Sequence, residues 1–156
     1  VRHLLQMGFV DAQRVGIHGW SYGGFLTLYA MAEAPDLFAA GVAGAPVTDW
    51  RNYDTIYTER YLGLPSENEE GYKASSPVHK AASIRAPLLL VANVEDDNVL
   101  FQHTLQMSAA LQKEGKLFEM SIYPQRTHGV TGDLRKHFYR TMFDFFGRQL
   151  RDKLPQ

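Results

Sequence analysis

A chain of 156 residues with 45% hydrophobic and 21% charged residues has the size and composition of one ordinary globular domain. A formal net charge of −1 provides no attraction to nucleic acid or to an anionic membrane, so neither is expected as a partner. The sequence has no cysteine, which excludes disulfides and thiolate metal sites. Residues 1–10 lack the features of a signal peptide, and nothing in the sequence indicates a compartment.

Short apolar runs alternate with helical patterns along the chain, which predicts βα units and a mostly parallel sheet. In chain order the patterns predict the end of a helix at 4–7, a strand over 14–18, a helix over 24–34, a strand over 38–45, broken helix and loop over 46–85, a strand over 87–92, a helix over 101–114, a strand over 117–123 and a helix over 132–150. The predicted fold class is therefore α/β, with about four strands flanked by helices.

The stretch Gly19-Trp20-Ser21-Tyr22-Gly23 matches G-x-S-x-G, the pattern of a nucleophile elbow. In this turn a serine lies between a strand and a helix, and flanking glycines let the backbone close up. The match falls between a predicted strand and a predicted helix, as the motif requires. Ser21 is therefore predicted to be a nucleophile, and the Tyr22 N–H is predicted to hold an oxyanion at the helix start.

The acid and the base of such a site follow the serine in the order Ser, acid, His, each in a loop after a later strand. The loop after the third predicted strand carries Glu95, Asp96 and Asp97. Asp96 follows the strand at the usual distance and Asp97 could cap the next helix, but spacing alone does not choose among the three. The loop after the fourth strand carries His128, which is predicted to be the base, with the carboxylate fixing its tautomer.

The other five histidines have simpler explanations. His18 lies on the strand before the elbow and is expected in the core or behind the site. His103 and His137 lie in predicted helices and are expected to be surface or capping residues, while His3 and His79 carry no motif. No H-E-x-x-H or similar ligand spacing is present, which argues against a metal site. No cofactor is expected.

Five stretches carry a family resemblance: 19–24, 45–50, 53–65, 96–99 and 128–129. Together they resemble the prolyl oligopeptidase family of serine peptidases, in its dipeptidyl peptidase IV branch. The resemblance covers nearly the whole chain, and its tyrosine-rich Y-T-E-R-Y segment is specific to that branch. It implies an α/β-hydrolase fold, and it favours Asp96 as the catalytic aspartate.

The resemblance also implies a substrate class, namely peptides with proline, or sometimes alanine, second from a free N-terminus. The side chains that it implies around the proline ring are Tyr22, Val47, Trp50, Tyr53, Tyr57 and Val99. It further implies that Asn98 binds a substrate carbonyl. Aromatic walls accommodate a flat apolar ring well. The alternative is that this aromatic cluster is ordinary core packing under a long insertion.

Members of the family carry a β-propeller and the first hydrolase strands ahead of the segment that this chain resembles. Residues 1–156 are therefore expected to be the C-terminal part of an α/β-hydrolase peptidase domain. Acidic residues that bind the substrate amine and a tyrosine of the oxyanion hole would lie outside this sequence. Besides a peptide substrate, the expected partners are that N-terminal portion or a second copy of the chain.

Three functions are compatible with these residues. The first is hydrolysis of peptide bonds after proline or alanine near a free N-terminus, through an acyl-enzyme on Ser21, with the activity of the isolated chain left open. The second is an esterase or acyl-peptide hydrolase on the same three residues, since this fold hosts many chemistries. The third is a non-catalytic interaction module that uses the final helix, although packing of this helix on the sheet is expected. The apolar residues of that helix include Phe138, Met142, Phe143, Phe145 and Phe146.

Overall fold

The computed structural model describes residues 1–151, and its sheet contains four strands in this range. They are β1 Gly16–Trp20, β2 Ala40–Gly44, β3 Leu88–Asn93 and β4 Glu119–Tyr123. The spatial order is β1-β2-β3-β4, and each neighbouring pair is parallel. The carboxyl ends of all four strands therefore lie at one edge of the sheet, and each predicted strand overlaps an observed one.

The α-helices of the described range are α1 Arg2–Gln6, α2 Tyr22–Glu33, α3 Thr55–Leu62, α4 Glu69–Ser75, α5 Phe101–Lys113 and α6 Asp133–Phe146. Short 3₁₀ turns lie at Ala12–Arg14, Trp50–Asn52 and Pro77–Ser83, and a π turn at Gly147–Arg151 follows α6. The segment 46–85 is thus broken helix and loop, as predicted. None of the described helices has the length and apolar character needed to cross a membrane.

The apolar run of β3 divides the core into two layers. Leu88 and Leu90 pack with residues of α2 and α5 in one layer, whereas Leu89 and Val91 pack with residues of α6 in the other. Successive side chains of a strand point to opposite faces, so a continuous apolar run belongs to a strand that is covered on both faces. The chain therefore forms an α/β sandwich, with α2 and α5 on one face of the sheet and α6 on the other.

The final helix packs on the sheet, as expected from its sequence. Phe138, Met142 and Phe145 are buried there at the spacing i, i+4, i+7 of one helix face. Phe143 lies on the other side of the helix and is exposed. The aromatic character of α6 therefore serves mainly the core.

The prediction for His103 was wrong, because its side chain is only 1% exposed. The face of α5 that packs against the protein is partly polar, so hydropathy alone does not indicate that this face is buried. Its buried residues are His103, Thr104, Met107, Ser108 and Leu111. The Thr48 N–H donates to His103 Nδ1 at 3.2 Å, and the Thr48 hydroxyl donates to the His103 carbonyl at 2.8 Å. His103 therefore ties α5 to the segment 46–85.

Of the two positions expected for His18, in the core or behind the site, the first was wrong. Its side chain is exposed on β1, the outermost strand on its side of the described sheet, rather than being enclosed in the core. Its Nδ1 lies 3.0 Å from the Val42 carbonyl oxygen, and its ring packs beside Phe138 at a centroid distance of 5.8 Å. His137 is exposed on α6, as expected.

His103 is expected to make the stability of the fold depend on pH. Burial lowers the pKa of its imidazole, and the backbone of Asn52 together with the charges of Asp49 and Asp96 opposes this effect only in part. The unfolded chain therefore binds the proton at a higher pH than the folded chain does. The resulting stabilisation is complete above a pH of about 6.5 and is lost as the pH falls from there towards the lower folded pKa, by at most about 1.4 kcal/mol per pH unit.

Chemical denaturation of the wild type and of His103→Gln across this pH range measures the effect. The free energy of unfolding should fall less steeply with decreasing pH in His103→Gln. The same substitution at His3, whose side chain is exposed, is the matched control. Identical slopes in the wild type and His103→Gln would contradict the prediction.

Candidate active site

Three turns at the carboxyl edge of the sheet bring together the residues that the motif analysis singled out. Ser21 follows β1 directly, Asp96 lies three residues after β3, and His128 lies in the loop after β4. Because the strands are parallel, these turns share one edge although they are far apart in sequence.

The imidazole of His128 lies between the hydroxyl and the carboxylate. Its Nε2 is 2.8 Å from Ser21 Oγ, and its Nδ1 is 2.9 and 3.0 Å from the two carboxylate oxygens of Asp96. Glu95 and Asp97 are exposed and do not take this position, whereas Asp96 is buried. A proton on Nδ1 that is donated to Asp96 leaves Nε2 as the acceptor for the serine hydroxyl, so the imidazole can take that proton.

The carboxylate of Asp96 is held by the backbone that follows it. Its Oδ1 accepts hydrogen bonds from the N–H groups of Asn98 at 3.0 Å and of Val99 at 2.8 Å. These bonds fix the plane of the carboxylate without needing another side chain. The orientation of His128 is therefore set through the local turn after β3.

Close backbone contacts hold Ser21 in the elbow. Its φ is 60° and its ψ is −118°, and its N–H donates to the Gly44 carbonyl at 2.8 Å. A Cβ on Gly19 would overlap the carbonyl of Gly23, and one on Gly24 would overlap the carbonyl of Gly44. A Cβ on Gly23 would meet no atom. The expectation that both glycines of the motif must lack side chains therefore applies to Gly19 but not to Gly23.

The backbone N–H of Tyr22 lies at the first position of α2, directly after Ser21. The first N–H groups of a helix lack intrahelical acceptors, and this end of a helix carries partial positive charge. Negative charge that develops on an oxygen next to Ser21 Oγ would meet this donor. The position therefore suits an oxyanion, as the motif predicts.

An aromatic cavity of about 340 Å³ lies beside the elbow. Its lining residues are Tyr22, Phe25, Trp50, Tyr57, Thr58, Tyr61, Leu62 and Ser75. The ring of Trp50 is central, with ring centroids 6.1 Å from Tyr22 and 6.0 Å from Tyr57, and it stacks on Tyr57 at an interplanar angle of 22°. The cavity therefore offers flat apolar walls at Tyr22, the residue that follows Ser21.

Only part of the predicted pocket lines this cavity. Tyr22, Trp50 and Tyr57 do so, whereas Val47 and Val99 are 2% and 3% exposed and pack in the core cluster that contains Trp50. These two valines support the aromatic wall from beneath. The alternative that the cluster is core packing thus describes part of it.

Tyr53 and Asn98 form a polar pair at another side of the Trp50 ring. The Tyr53 hydroxyl donates to Asn98 Oδ1 at 2.8 Å, and the Tyr53 ring meets Trp50 edge-on at 5.9 Å. Burial, followed by the charge of Asp54, raises the pKa of the Tyr53 phenol, so the hydroxyl keeps its proton and can donate. The amide nitrogen of Asn98 is a second donor in this pair.

Five residues of the cavity wall were not predicted from the sequence: Phe25, Thr58, Tyr61, Leu62 and Ser75. Tyr61 follows Tyr57 by one helical turn, and their rings lie 5.0 Å apart, so the i, i+4 spacing could have indicated it. Ser75 approaches from α4, and no local pattern connects it with the elbow.

The parallel sheet, the strained serine turn and the Ser-His-Asp contacts define this chain as an α/β hydrolase. Within the described range, no group of three or more His, Asp or Glu residues is placed to hold a metal ion.

Comparisons with known proteins then identify the family. Residues 1–153 match the model of the prolyl oligopeptidase family, so the chain belongs to that family. Dipeptidyl peptidase 8 of Mus musculus is 46% identical over 128 residues, which are 80% of this chain and 14% of that protein. Prolyl endopeptidase FAP of Homo sapiens is 40% identical over 148 residues, which are 93% of this chain and 20% of that protein.

A solved structure agrees with the assignment. The crystal structure of Porphyromonas gingivalis dipeptidyl peptidase 4 superposes with a TM-score of 0.91 at 42% sequence identity, covering 94% of this chain and 21% of that one. The α/β-hydrolase fold expected from the sequence is thereby confirmed. The chain spans between 14% and 20% of the length of the curated relatives named here.

The two glycines of the motif are expected to differ in their tolerance of a side chain. Gly19→Ala should destabilise the fold by about 1–3 kcal/mol or more, because its methyl group would meet a backbone carbonyl that cannot move aside. Gly23→Ala should change the free energy of unfolding by less than about 1 kcal/mol, since its methyl group meets open space within a helix. Chemical denaturation measures both values, and equal losses would contradict this account of the elbow.

Proposed function

We propose that this chain carries the catalytic residues of a serine peptidase of the dipeptidyl peptidase type, which cleaves after proline or alanine near a free N-terminus. The observation that carries the proposal is the His128 imidazole, with Nε2 at 2.8 Å from Ser21 Oγ and Nδ1 at 2.9 Å from Asp96. These distances are within hydrogen-bond reach for a nucleophile, its base and the group that orients the base.

The first chemical step forms an acyl-enzyme. Ser21 Oγ attacks the scissile carbonyl carbon while His128 Nε2 takes the hydroxyl proton, and Asp96 stabilises the imidazolium. The carbonyl oxygen becomes an oxyanion that the Tyr22 N–H stabilises; removing one such donor typically costs about 10²–10³ in kcat. The tetrahedral intermediate collapses as His128 gives its proton to the leaving amine.

The second step releases the acyl group. Water takes the place of the departed amine, His128 removes a proton from it, and the resulting hydroxide attacks the ester carbonyl on Ser21. Collapse of the second tetrahedral intermediate breaks the ester bond, and the proton returns from His128 to Ser21 Oγ. The products are a free carboxylate and the regenerated serine.

The aromatic cavity supports the choice of substrate. A proline ring is flat and apolar, and the cavity beside Ser21 has walls formed by Tyr22, Trp50 and Tyr57. The donor amide of Asn98, held by the Tyr53 hydroxyl, suits a substrate carbonyl. The names of the similar proteins, dipeptidyl peptidase and prolyl endopeptidase, support the same substrate class.

The reaction type and the substrate class are tested together with three chromogenic substrates. Because the acidic residues expected to bind the substrate amine lie outside this sequence, the test uses this chain joined to the expected N-terminal portion. This protein is given a free-amine Xaa-Pro anilide, its N-acetylated twin and a simple aryl ester. We expect the free-amine anilide to have the highest kcat/KM, and Ser21→Ala to lower its kcat by about 10⁴-fold or more. His137→Ala, an exposed histidine on α6, is the control for loss of an imidazole.

Each other outcome favours a different function. A preference for the ester or the blocked anilide would favour an esterase or acyl-peptide hydrolase and would overturn the substrate assignment. Hydrolysis that survives in Ser21→Ala would exclude Ser21 as the nucleophile. If the joined protein is folded and hydrolyses none of the three, the interaction module is favoured.

The cavity itself is tested at Tyr57, whose ring stacks on Trp50. Tyr57→Ala should lower kcat/KM for the Xaa-Pro anilide by about tenfold, because an aromatic contact contributes up to about 1.5 kcal/mol. The aryl ester, which lacks the proline ring, should lose less. Tyr139→Ala on α6 is the matched control, and equal losses for both substrates would argue against the cavity as the proline site.

A further inference from the structure

The loop that carries His128 is held by three hydrogen bonds from outside it. Three successive carbonyl groups, at residues 126–128, each accept one bond from outside the loop. The donors are the backbone N–H of Glu95 at 3.1 Å, the side-chain amide of Asn93, and the indole N–H of Trp20 at 2.8 Å. Two of these three donors are therefore side chains at the ends of β3 and β1.

The indole of Trp20 has little freedom to turn. It lies over Gly44, the residue paired with it on β2, and a Cβ on Gly44 would overlap the ring. The ring of Phe138 meets it edge-on at a centroid distance of 5.4 Å. Because both contacts fix the indole plane, its N–H points in one direction, towards the carbonyl of His128.

Asn93 is the last residue of β3 and is 1% exposed. Its Nδ2 donates to the Thr127 carbonyl, whereas its Oδ1 has no hydrogen-bond partner among the described residues. A buried acceptor without a partner destabilises a fold, and replacing it with an apolar group of similar shape removes that penalty. Asn93 thus carries a cost in stability at Oδ1 that its single bond to Thr127 has to offset.

We propose that Trp20 and Asn93 are positioning residues that hold the loop of His128 so that its imidazole bridges Ser21 and Asp96. The inference rests on the proposed role of His128 as the base. The side chain of His128 is 29% exposed, so packing around the ring does not by itself fix it. A displacement of about 1 Å at a reacting group can slow a reaction about 10²-fold.

Two variants remove the donors with little change of shape. Trp20→Phe keeps an aromatic ring over Gly44 but has no N–H, and Asn93→Leu keeps the branching of the side chain but has no amide. Tyr123→Phe is the control, because it removes a hydroxyl that bonds His137 at the end of β4 and leaves the loop carbonyls untouched. All three are compared with the wild-type chain.

Three measurements separate positioning from a structural role. The rate constant for labelling of Ser21 by a fluorophosphonate should fall about tenfold to 10²-fold in Trp20→Phe and Asn93→Leu and stay unchanged in Tyr123→Phe. The unfolding temperature of Asn93→Leu should stay close to that of the wild type, since the substitution removes the unpaired Oδ1 together with the bond to Thr127. The far-downfield proton resonance expected for the His128–Asp96 hydrogen bond should broaden or shift in both loop variants, recorded where they are folded.

Failure of the positioning proposal can be distinguished from failure of the proposed function. If the folded wild type is not labelled, the proposed function fails, and the proton resonance still tests the positioning. Labelling at the wild-type rate with an unchanged resonance in Asn93→Leu would overturn the inference. A less stable but equally reactive Asn93→Leu would also overturn it, because the bond would then be structural only. Should Trp20→Phe not fold, Asn93→Leu decides alone.

Discussion

The close approach of β1 and β2 at Gly44 is the constraint on which the rest of the site depends. The carbonyl of Gly44 accepts the N–H of Ser21, and the same carbonyl leaves no room for a side chain on Gly24, so α2 lies tightly against β2. The missing side chain of Gly44 gives the indole of Trp20 its place. The carbonyl of Gly44 thus shapes the strained serine turn and the helix behind it, and its missing side chain leaves room for the ring of Trp20.

The parallel sheet brings Asp96 and His128 to the serine turn. Since the strands end at one edge, the turns after β3 and β4 lie at the same edge as the serine turn. Burial of Asp96 and the two N–H groups that hold it leave its carboxylate one direction in which to meet His128. The segment 46–85 then closes over α2 and places Trp50 and Tyr57 beside Ser21.

The sequence predicted those parts that depend on local rules. The apolar run of β3 and the spacing of glycines around Ser21 follow from strand burial and from backbone sterics, so they could be read without the fold. The burial of His103 could not, because the inner stripe of α5 is partly polar. The hydrogen bond from Trp20 to the loop at 126–128 could not be predicted either, since it joins residues more than a hundred positions apart. Which of three adjacent acids meets the histidine likewise depends on the turn after β3.

The most direct test of the account is to treat the folded chain with a fluorophosphonate probe and to locate any adduct by peptide mass spectrometry. Such probes react with an activated serine and assume no substrate. The account predicts an adduct on Ser21 that is lost in His128→Ala and strongly reduced in Asp96→Asn, since both changes remove the base or its correct tautomer. A folded chain without an adduct, or an adduct on Ser21 that persists in His128→Ala, would contradict it.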